Sequence, residues 1–161
     1  MLRNSWLLAV LAPALALSLV SASAHADTRS SVQQDPVTKS DGLWLMCMPG
    51  LPRDCWAELQ FRPVGDKVTL CDGLADGRGV RARVTNVTKD PDVHEYTITN
   101  TKGSGKCTTK EAADGQPYNL AEGHCFHFEL LFVDNGEEVG DKMTGQIRNK
   151  NENSSLCLGV D

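Results

Sequence analysis

Short runs in which apolar and polar residues alternate recur along most of this chain, and they constrain its fold more than any other feature. Every second residue from Cys55 to Phe61 is apolar, and so is every second residue from Phe126 to Phe132. Side chains of a β-strand point alternately to its two faces. Such runs therefore indicate strands that place one face on a hydrophobic core and the other in water.

The alternation predicts eight strands, separated by turns rich in Gly, Asp, Asn and Pro. They are Leu43–Met48, Cys55–Phe61, Lys67–Cys71, Arg78–Val84, Val93–Asn100, Cys125–Phe132, Lys142–Arg148 and Ser155–Val160. Only Thr109–Asp114 has a helical pattern, and it is long enough for one or two turns. Parallel strands need long crossover connections, which are absent, so the sequence predicts an antiparallel meander.

Such a meander either closes as a small barrel or folds as a two-sheet sandwich. Gly42-Leu43-Trp44, at the head of the first predicted strand, resembles the Gly-x-Trp that opens lipocalin-like barrels. The resemblance covers three residues and favours the barrel. In both cases the expected fold is all-β and disulfide-stabilised.

The first 26 residues have the features of a secretory signal peptide. Arg3 precedes an apolar run over Leu7–Val20, and Ala24-His25-Ala26 fits a cleavage site. Residues 27–41 are polar and without periodicity, which predicts a flexible N-terminal arm. A single β domain is then expected over residues 42–161, in a secreted or periplasmic protein of either bacterial or eukaryotic source.

The chain contains six cysteines, all of them after the predicted signal peptide. An even number in an exported chain predicts three disulfides, for which fifteen pairings exist. No Cys-x-x-Cys pair occurs, so the spacing does not favour a metal site. The predicted disulfide cysteines are Cys47, Cys55, Cys71, Cys107, Cys125 and Cys157.

The charge of the chain bears on its partners. The sequence has 16 basic and 21 acidic residues, and the predicted signal peptide removes only Arg3, leaving 15 against 21, or −6. Nucleic acids and anionic membranes both attract basic surfaces, so neither is an expected partner. No second long apolar stretch follows the signal, so membrane insertion is not expected either.

The segment between Cys47 and Cys55 leads to the main functional hypothesis. If these cysteines are bonded, the segment is a closed loop on a hairpin, with two prolines to stiffen it. Such a loop loses little conformational entropy on binding. Trp56 points away from the core beside it, as interface anchors do. The predicted partner-binding residues are Met48, Pro49, Leu51, Pro52, Arg53 and Trp56. The alternative is that the disulfide only fastens the end of the hairpin.

These features predict a non-enzymatic protein that binds a protein partner in the envelope or extracellular space, as a hydrolase inhibitor or an immunity-type factor. No catalytic residue, cofactor or metal ligand is predicted. The chain lacks the Gly-x-Ser-x-Gly, His-Glu-x-x-His and phosphate-binding glycine motifs.

Two alternative functions remain open at the level of sequence. A lipocalin-like carrier would hold a small apolar ligand in an unfilled barrel. The residues expected to line that interior, or else to fill it as core, are Trp44, Tyr96, Phe126, Phe128 and Phe132.

A hydrolase with a dispersed site would need His94 and His127 to meet in a cleft with carboxylates. The alternation places His94 on the core side with Tyr96, and His127 on the opposite face of its strand with Glu129. His124 is three residues from His127, so the two are expected to face opposite sides.

Overall fold

The computed structural model describes residues 42–49, 54–151 and 156–157. The predicted signal peptide and N-terminal arm lie outside the described residues. The strands are β1 (Trp44–Pro49), β2 (Cys55–Arg62), β3 (Lys67–Asp72), β4 (Gly79–Asn86), β5 (Val93–Asn100), β6 (Lys106–Lys110), β7 (Cys125–Asp134) and β8 (Glu137–Arg148). Within these described ranges, no helix has the length and hydrophobicity needed to span a bilayer.

The strands form two four-stranded antiparallel sheets, with the orders β1-β2-β3-β6 and β5-β4-β7-β8. The predicted antiparallel all-β fold is confirmed, and of its two forms the structure adopts the sandwich. The barrel that the lipocalin resemblance favoured is therefore wrong. Its closure would need one continuous sheet, but consecutive strands β3 and β4 belong to different sheets, as do β5 and β6.

Seven predicted strands correspond to observed ones, and the eighth lies mostly outside the described residues. Residues 156–157 form no strand, and the rest of the predicted Ser155–Val160 strand lies outside the described residues. Strand β6 was not predicted, because its sequence Lys-Cys-Thr-Thr-Lys lacks apolar alternation at the edge of a sheet. The predicted helix is reduced to a single 3₁₀ turn at Ala112–Asp114.

The core lies between the two sheets and is made by the inward positions of the alternating strands. Trp44 and Phe128 are in contact, with ring centroids 5.1 Å apart, and Phe61 lies 5.4 Å from Phe128. All five residues expected to line or fill a carrier interior are buried in this region: Trp44, Tyr96, Phe126, Phe128 and Phe132. Their contacts are those of a filled core.

Three disulfides connect all six cysteines: Cys47–Cys55, Cys71–Cys107 and Cys125–Cys157. The prediction of three bridges is confirmed, and the structure selects one of the fifteen pairings. Such a set of disulfides is typical of extracellular or periplasmic proteins.

Four connections lie at the same end of the sandwich, which we call the loop end. They are β1–β2, β3–β4, β5–β6 and β7–β8, over residues 50–54, 73–78, 101–105 and 135–136. This follows from the antiparallel order, since β1, β3, β5 and β7 all run toward that end. The opposite end holds the start of β1 and the connection over residues 111–124. Side chains from separate connections are thereby brought together.

Candidate partner-binding site

The disulfide Cys47–Cys55 lies at the loop end and joins β1 to β2. The two Cα atoms are 5.2 Å apart, and the bonded residues are eight positions apart in sequence. The hairpin is paired up to Pro49 and Cys55, with a register shift between Met48 and Pro49. The covalent closure on which the loop hypothesis depended is therefore present.

The predicted partner-binding residues have different positions in the structure. Leu51, Pro52 and Arg53 lie outside the described residues. Pro49 is exposed, and Trp56 is 38% exposed, as its place in the alternation predicted. Met48 is only 8% exposed, so its inclusion on an outward-facing surface needs correction.

The position of Met48 follows from the alternation of its own strand. Trp44, Met46 and Met48 occupy every second residue of β1 and face the core. The side chain of Met48 reaches the rim of the core at the loop end, where it forms the floor of a cleft. Met48 thus lies beneath the candidate surface and Trp56 lies on it.

That cleft has a volume of about 330 Å³ and opens between the two sheets. Its walls come from the end of β1, the start of β2, the end of β7, one segment of β8 and the last residue of the β3–β4 connection. The residues that line it are Met48, Pro49, Trp56, Arg78, Phe132, Gly140, Asp141, Lys142 and Met143. The lining is mostly apolar with a few charged groups, a composition typical of binding clefts.

An irregularity in the β7–β8 ladder makes room for the cleft. Leu130 pairs with Met143, and Phe132 pairs with Val139, so three residues of β8 lie opposite Leu131 alone. Gly140 begins this bulge with φ +74°, in the left-handed region that favours glycine. Bulges of this kind occur preferentially next to functional sites.

Sequence reasoning missed this bulge because it began the seventh predicted strand at Lys142. The signal that could have found it is Gly140, a glycine within a strand pattern. Strand β8 begins earlier, at Glu137, and the bulge lies between its two regular parts.

Arg78 lies on one wall of the cleft and has a fixed orientation. Its guanidinium carbon is 4.7 Å from the centroid of the Phe132 ring, a cation–π contact. Its Nε donates a 2.5 Å hydrogen bond to Oδ2 of Asp76. The cleft therefore combines an apolar floor with an anchored positive charge.

Lys142 brings a second positive charge to the rim, and it is paired with Glu129. The distance from Lys142 Nζ to Glu129 Oε1 is 2.5 Å, and Arg83 Nη1 donates to Glu129 Oε2 at 2.9 Å. Partial burial acts to raise the pKa of Glu129. The hydrogen bonds and charges of Lys142 and Arg83 outweigh it, so the pKa of Glu129 is lowered. Glu129 is a stable counter-ion rather than a proton donor.

The three described histidines, His94, His124 and His127, have different surroundings. His94 is exposed and hydrogen-bonded to the Thr97 hydroxyl, so its predicted core position is wrong. A bulge at Glu95 is the reason, since Tyr96 pairs with Val84 while His94 already pairs with Thr85. The extra residue reverses the alternation at the start of β5.

His127 and Glu129 are both half-buried on the outer face of β7, as predicted. Burial lowers the pKa of His127. His124 instead shares a hydrogen bond with the Asn86 side chain, 3.1 Å away. Among the residues with described positions, no group of three or more His, Cys, Asp or Glu could hold a metal ion.

The described geometry of the loop end thus consists of a hairpin closed by the Cys47–Cys55 disulfide, an exposed Trp56 and an apolar cleft beside it. Comparison with known proteins adds nothing to these features: no protein-family model and no curated protein matches the chain.

Proposed function

We propose that the protein is exported and acts without catalysis, as an inhibitor or immunity-type factor that binds a hydrolase of the envelope or extracellular space. Its contact surface is the loop between Cys47 and Cys55 together with Trp56. The observation that supports this most is the closure of that loop by a disulfide directly beside the cleft that Trp56 lines.

The base of the loop is held from two directions, which supports a role in binding. On one side β1 pairs with β2 up to Cys55. On the other, the Gly73 N–H donates a 2.9 Å hydrogen bond to the Trp56 carbonyl. A Cβ atom at Gly73 would lie 2.0 Å from the Cys55 carbonyl oxygen, so only glycine allows this approach. Trp56 is therefore presented on a fixed backbone, which lowers the entropic cost of binding.

The chemistry of the surface also suits a protein partner. Trp and Arg are enriched among the residues that dominate binding energy, and both line the cleft as Trp56 and Arg78. The side chain of Trp56 remains 38% exposed in the free protein, so part of its apolar area is available for burial.

Export is supported by the disulfides and by the sequence features of residues 1–26. The carrier alternative draws no support from Trp44, Tyr96, Phe126 and Phe128, because all four are buried in the core between the sheets. The hydrolase alternative draws none from His94, which lies on the exposed start of β5.

The test is inhibition of a panel of secreted serine proteases and glycoside hydrolases by the mature chain, residues 27–161. We expect the wild-type protein to inhibit at least one enzyme stoichiometrically. Replacing three residues together (Leu51→Ala, Arg53→Ala and Trp56→Ala) should raise the inhibition constant about 100-fold or more, since hot-spot residues contribute about 2 kcal/mol or more each.

A matched control carries three substitutions of exposed residues at the opposite end: Val64→Ala, Lys89→Ala and Lys150→Ala. It should inhibit like the wild type. Far-ultraviolet circular dichroism and disulfide mapping verify that both variants are folded. Inhibition of no enzyme in the panel, or equal inhibition by the loop variant, would contradict the proposal.

A further inference from the structure

A second cavity at the loop end has a different chemistry from the cleft beside Trp56. It has a volume of about 500 Å³ and lies among the β3–β4, β5–β6 and β7–β8 connections. Neither Trp56 nor either residue of the Cys47–Cys55 disulfide lines it. The polar side chains on its walls include Arg78, Arg81, Thr99, Thr101, Lys102 and Ser104.

The cavity gathers three positive charges on a protein whose predicted mature charge is −6. Two carboxylates lie against them: Asp76 pairs with Arg78, and Glu138 pairs with Arg81 at 3.3 Å. Lys102 donates to the Cys107 carbonyl at 3.1 Å and forms no ion pair with any described residue. The three positive charges on the cavity wall therefore exceed the two negative charges of their described partners by one.

The cationic groups also have donors to spare. Within the guanidinium of Arg78, only Nε donates to Asp76, and the two Nη groups make no hydrogen bond within the described part of the chain. An ammonium has three N–H donors, of which Lys102 uses one. Arg81 is different, because its Nε, Nη1 and Nη2 contact Thr99, Glu138 and the Gly136 carbonyl. Arg81 supplies a fixed charge, while Arg78 and Lys102 supply unused donors.

Several residues that line this cavity are glycines, which have no side chain to fill it. Gly77, Gly103 and Gly136 all have positive φ, and no heavy atom lies within 4 Å of a Cβ placed on any of them. The cavity is far larger than one oxyanion needs, and its volume is in the range of small-molecule sites. Hydroxyl groups on Thr99, Thr101 and Ser104 suit a ligand body that is itself polar.

From this geometry we infer that the cavity is a binding site for a small organic ester of phosphate or sulfate, such as a sugar phosphate or a sugar sulfate. Arg78 and Lys102 donate to the tetrahedral oxyanion, because guanidinium and ammonium groups form strong charge-assisted hydrogen bonds to such oxygens. Arg81 contributes a fixed positive charge, and the threonine and serine hydroxyls face the sugar. Arg78 also lines the cleft beside Trp56, whereas Lys102, Arg81 and the hydroxyl-bearing residues line this cavity and not the cleft.

The experiment is isothermal titration of the mature, disulfide-intact protein with inorganic phosphate, inorganic sulfate, glucose 6-phosphate and glucose 6-sulfate. We expect saturable binding at one site, with the esters bound at least fivefold more tightly than the inorganic ions. The relative affinity of the two esters tells whether phosphate or sulfate is preferred. Arg78→Gln and Lys102→Gln should each weaken ester binding at least fivefold.

Lys89→Gln is the matched control, since it removes the same charge at the opposite end of the sandwich. It should leave the affinity within a factor of two. The absence of saturable binding would overturn the inference, and so would wild-type affinity in both cavity variants. An equal loss in Lys89→Gln would also overturn it, because the effect would then come from overall charge.

Discussion

Asp66 is a buried carboxyl group whose two oxygens both hold other parts of the chain. It is 3% exposed, in the turn between β2 and β3. Its Oδ2 accepts a 2.9 Å hydrogen bond from the Leu120 N–H, and its Oδ1 accepts one of 2.8 Å from Asn149. Burial raises the pKa of Asp66, and these two hydrogen bonds oppose that rise without cancelling it.

Asp66→Asn should change how stability depends on pH. The folded-state pKa of Asp66 lies above the ordinary value of 3.8, so its contribution to stability is fully present below about pH 3.8. It is lost as the pH rises through the folded-state pKa. The wild-type free energy of unfolding should therefore fall relative to that of the variant over this range.

Urea unfolding of both proteins at a series of acidic pH values measures this difference, and the other titrating groups are common to both. Asn tolerates the left-handed backbone that Asp66 adopts at φ 51°. The prediction would be contradicted if the difference in free energy of unfolding between the two proteins stayed constant, or if it grew in favour of the wild type as the pH rises.

Gly145 in β8 makes a close contact with the core. A Cβ atom there would lie 2.7 Å from Cζ2 of Trp44, whose side chain is fully buried. We expect Gly145→Ala to lower the free energy of unfolding by about 1–3 kcal/mol, the usual cost of overpacking a core. Chemical denaturation measures the change. The control is Thr144→Ala at the adjacent position, which should lower the free energy of unfolding by less. Equal losses in the two variants would contradict the predicted clash with Trp44.

At the scale of elements, β6 is an edge strand that a disulfide fastens. Among the described strands it pairs with β3 alone, and most of its residues are exposed. Cys71 and Cys107 are direct partners in that ladder, so the bridge fastens the edge strand to its neighbour.

Replacing both Cys71 and Cys107 with Ala should lower the free energy of unfolding by about 4 kcal/mol, from the loop-closure entropy of a 36-residue separation. Amide hydrogen exchange should accelerate in β6 far more than in β2, because few buried contacts remain to hold β6. Uniform loss of protection over both strands would show instead that β6 opens only with the whole domain.

The elements also show what the sequence could predict. Alternation predicts a strand wherever one face of the strand packs on the core, as in β2 and β7. It also predicted correctly that the Trp56 side chain points away from the core. It fails where a strand has no buried apolar face, as in β6. It also fails at the two bulges. The one residue inserted at Glu95 reverses the alternation at the start of β5, and residues Gly140 to Lys142 interrupt the β7–β8 ladder ahead of Met143.

The candidate site was predictable only in part for the same reason. The hairpin and its outward Trp are local features, and the sequence contains them. The cleft combines β1, β2, β7 and β8 with Arg78, so it depends on how two sheets face each other. Local periodicity holds no information on that arrangement, and it could not separate sandwich from barrel.

At the scale of the whole molecule, the disulfides contribute a large share of stability. The chain-entropy relation for separations of 8, 36 and 32 residues gives a combined contribution of about 10 kcal/mol. Domains of this size are stable by only about 5–15 kcal/mol in total. The covalent links are therefore comparable with the whole net stability.

We predict that the fully reduced, alkylated protein is unfolded or nearly so at 37 °C. Circular dichroism and one-dimensional proton NMR should show the loss of the dispersed signals of a β-sheet protein, while the oxidised protein keeps them. A reduced chain that still melts cooperatively at the same temperature would contradict this.

The direction of β1 has a practical consequence for experiments in which the protein is immobilised on a sensor surface. Because β1 starts at the far end and runs toward the loop end, any linker joined ahead of Gly42 leaves from the side opposite both cavities. A biotin or affinity tag fused there would anchor the molecule to a sensor with its cavities facing the bulk solution.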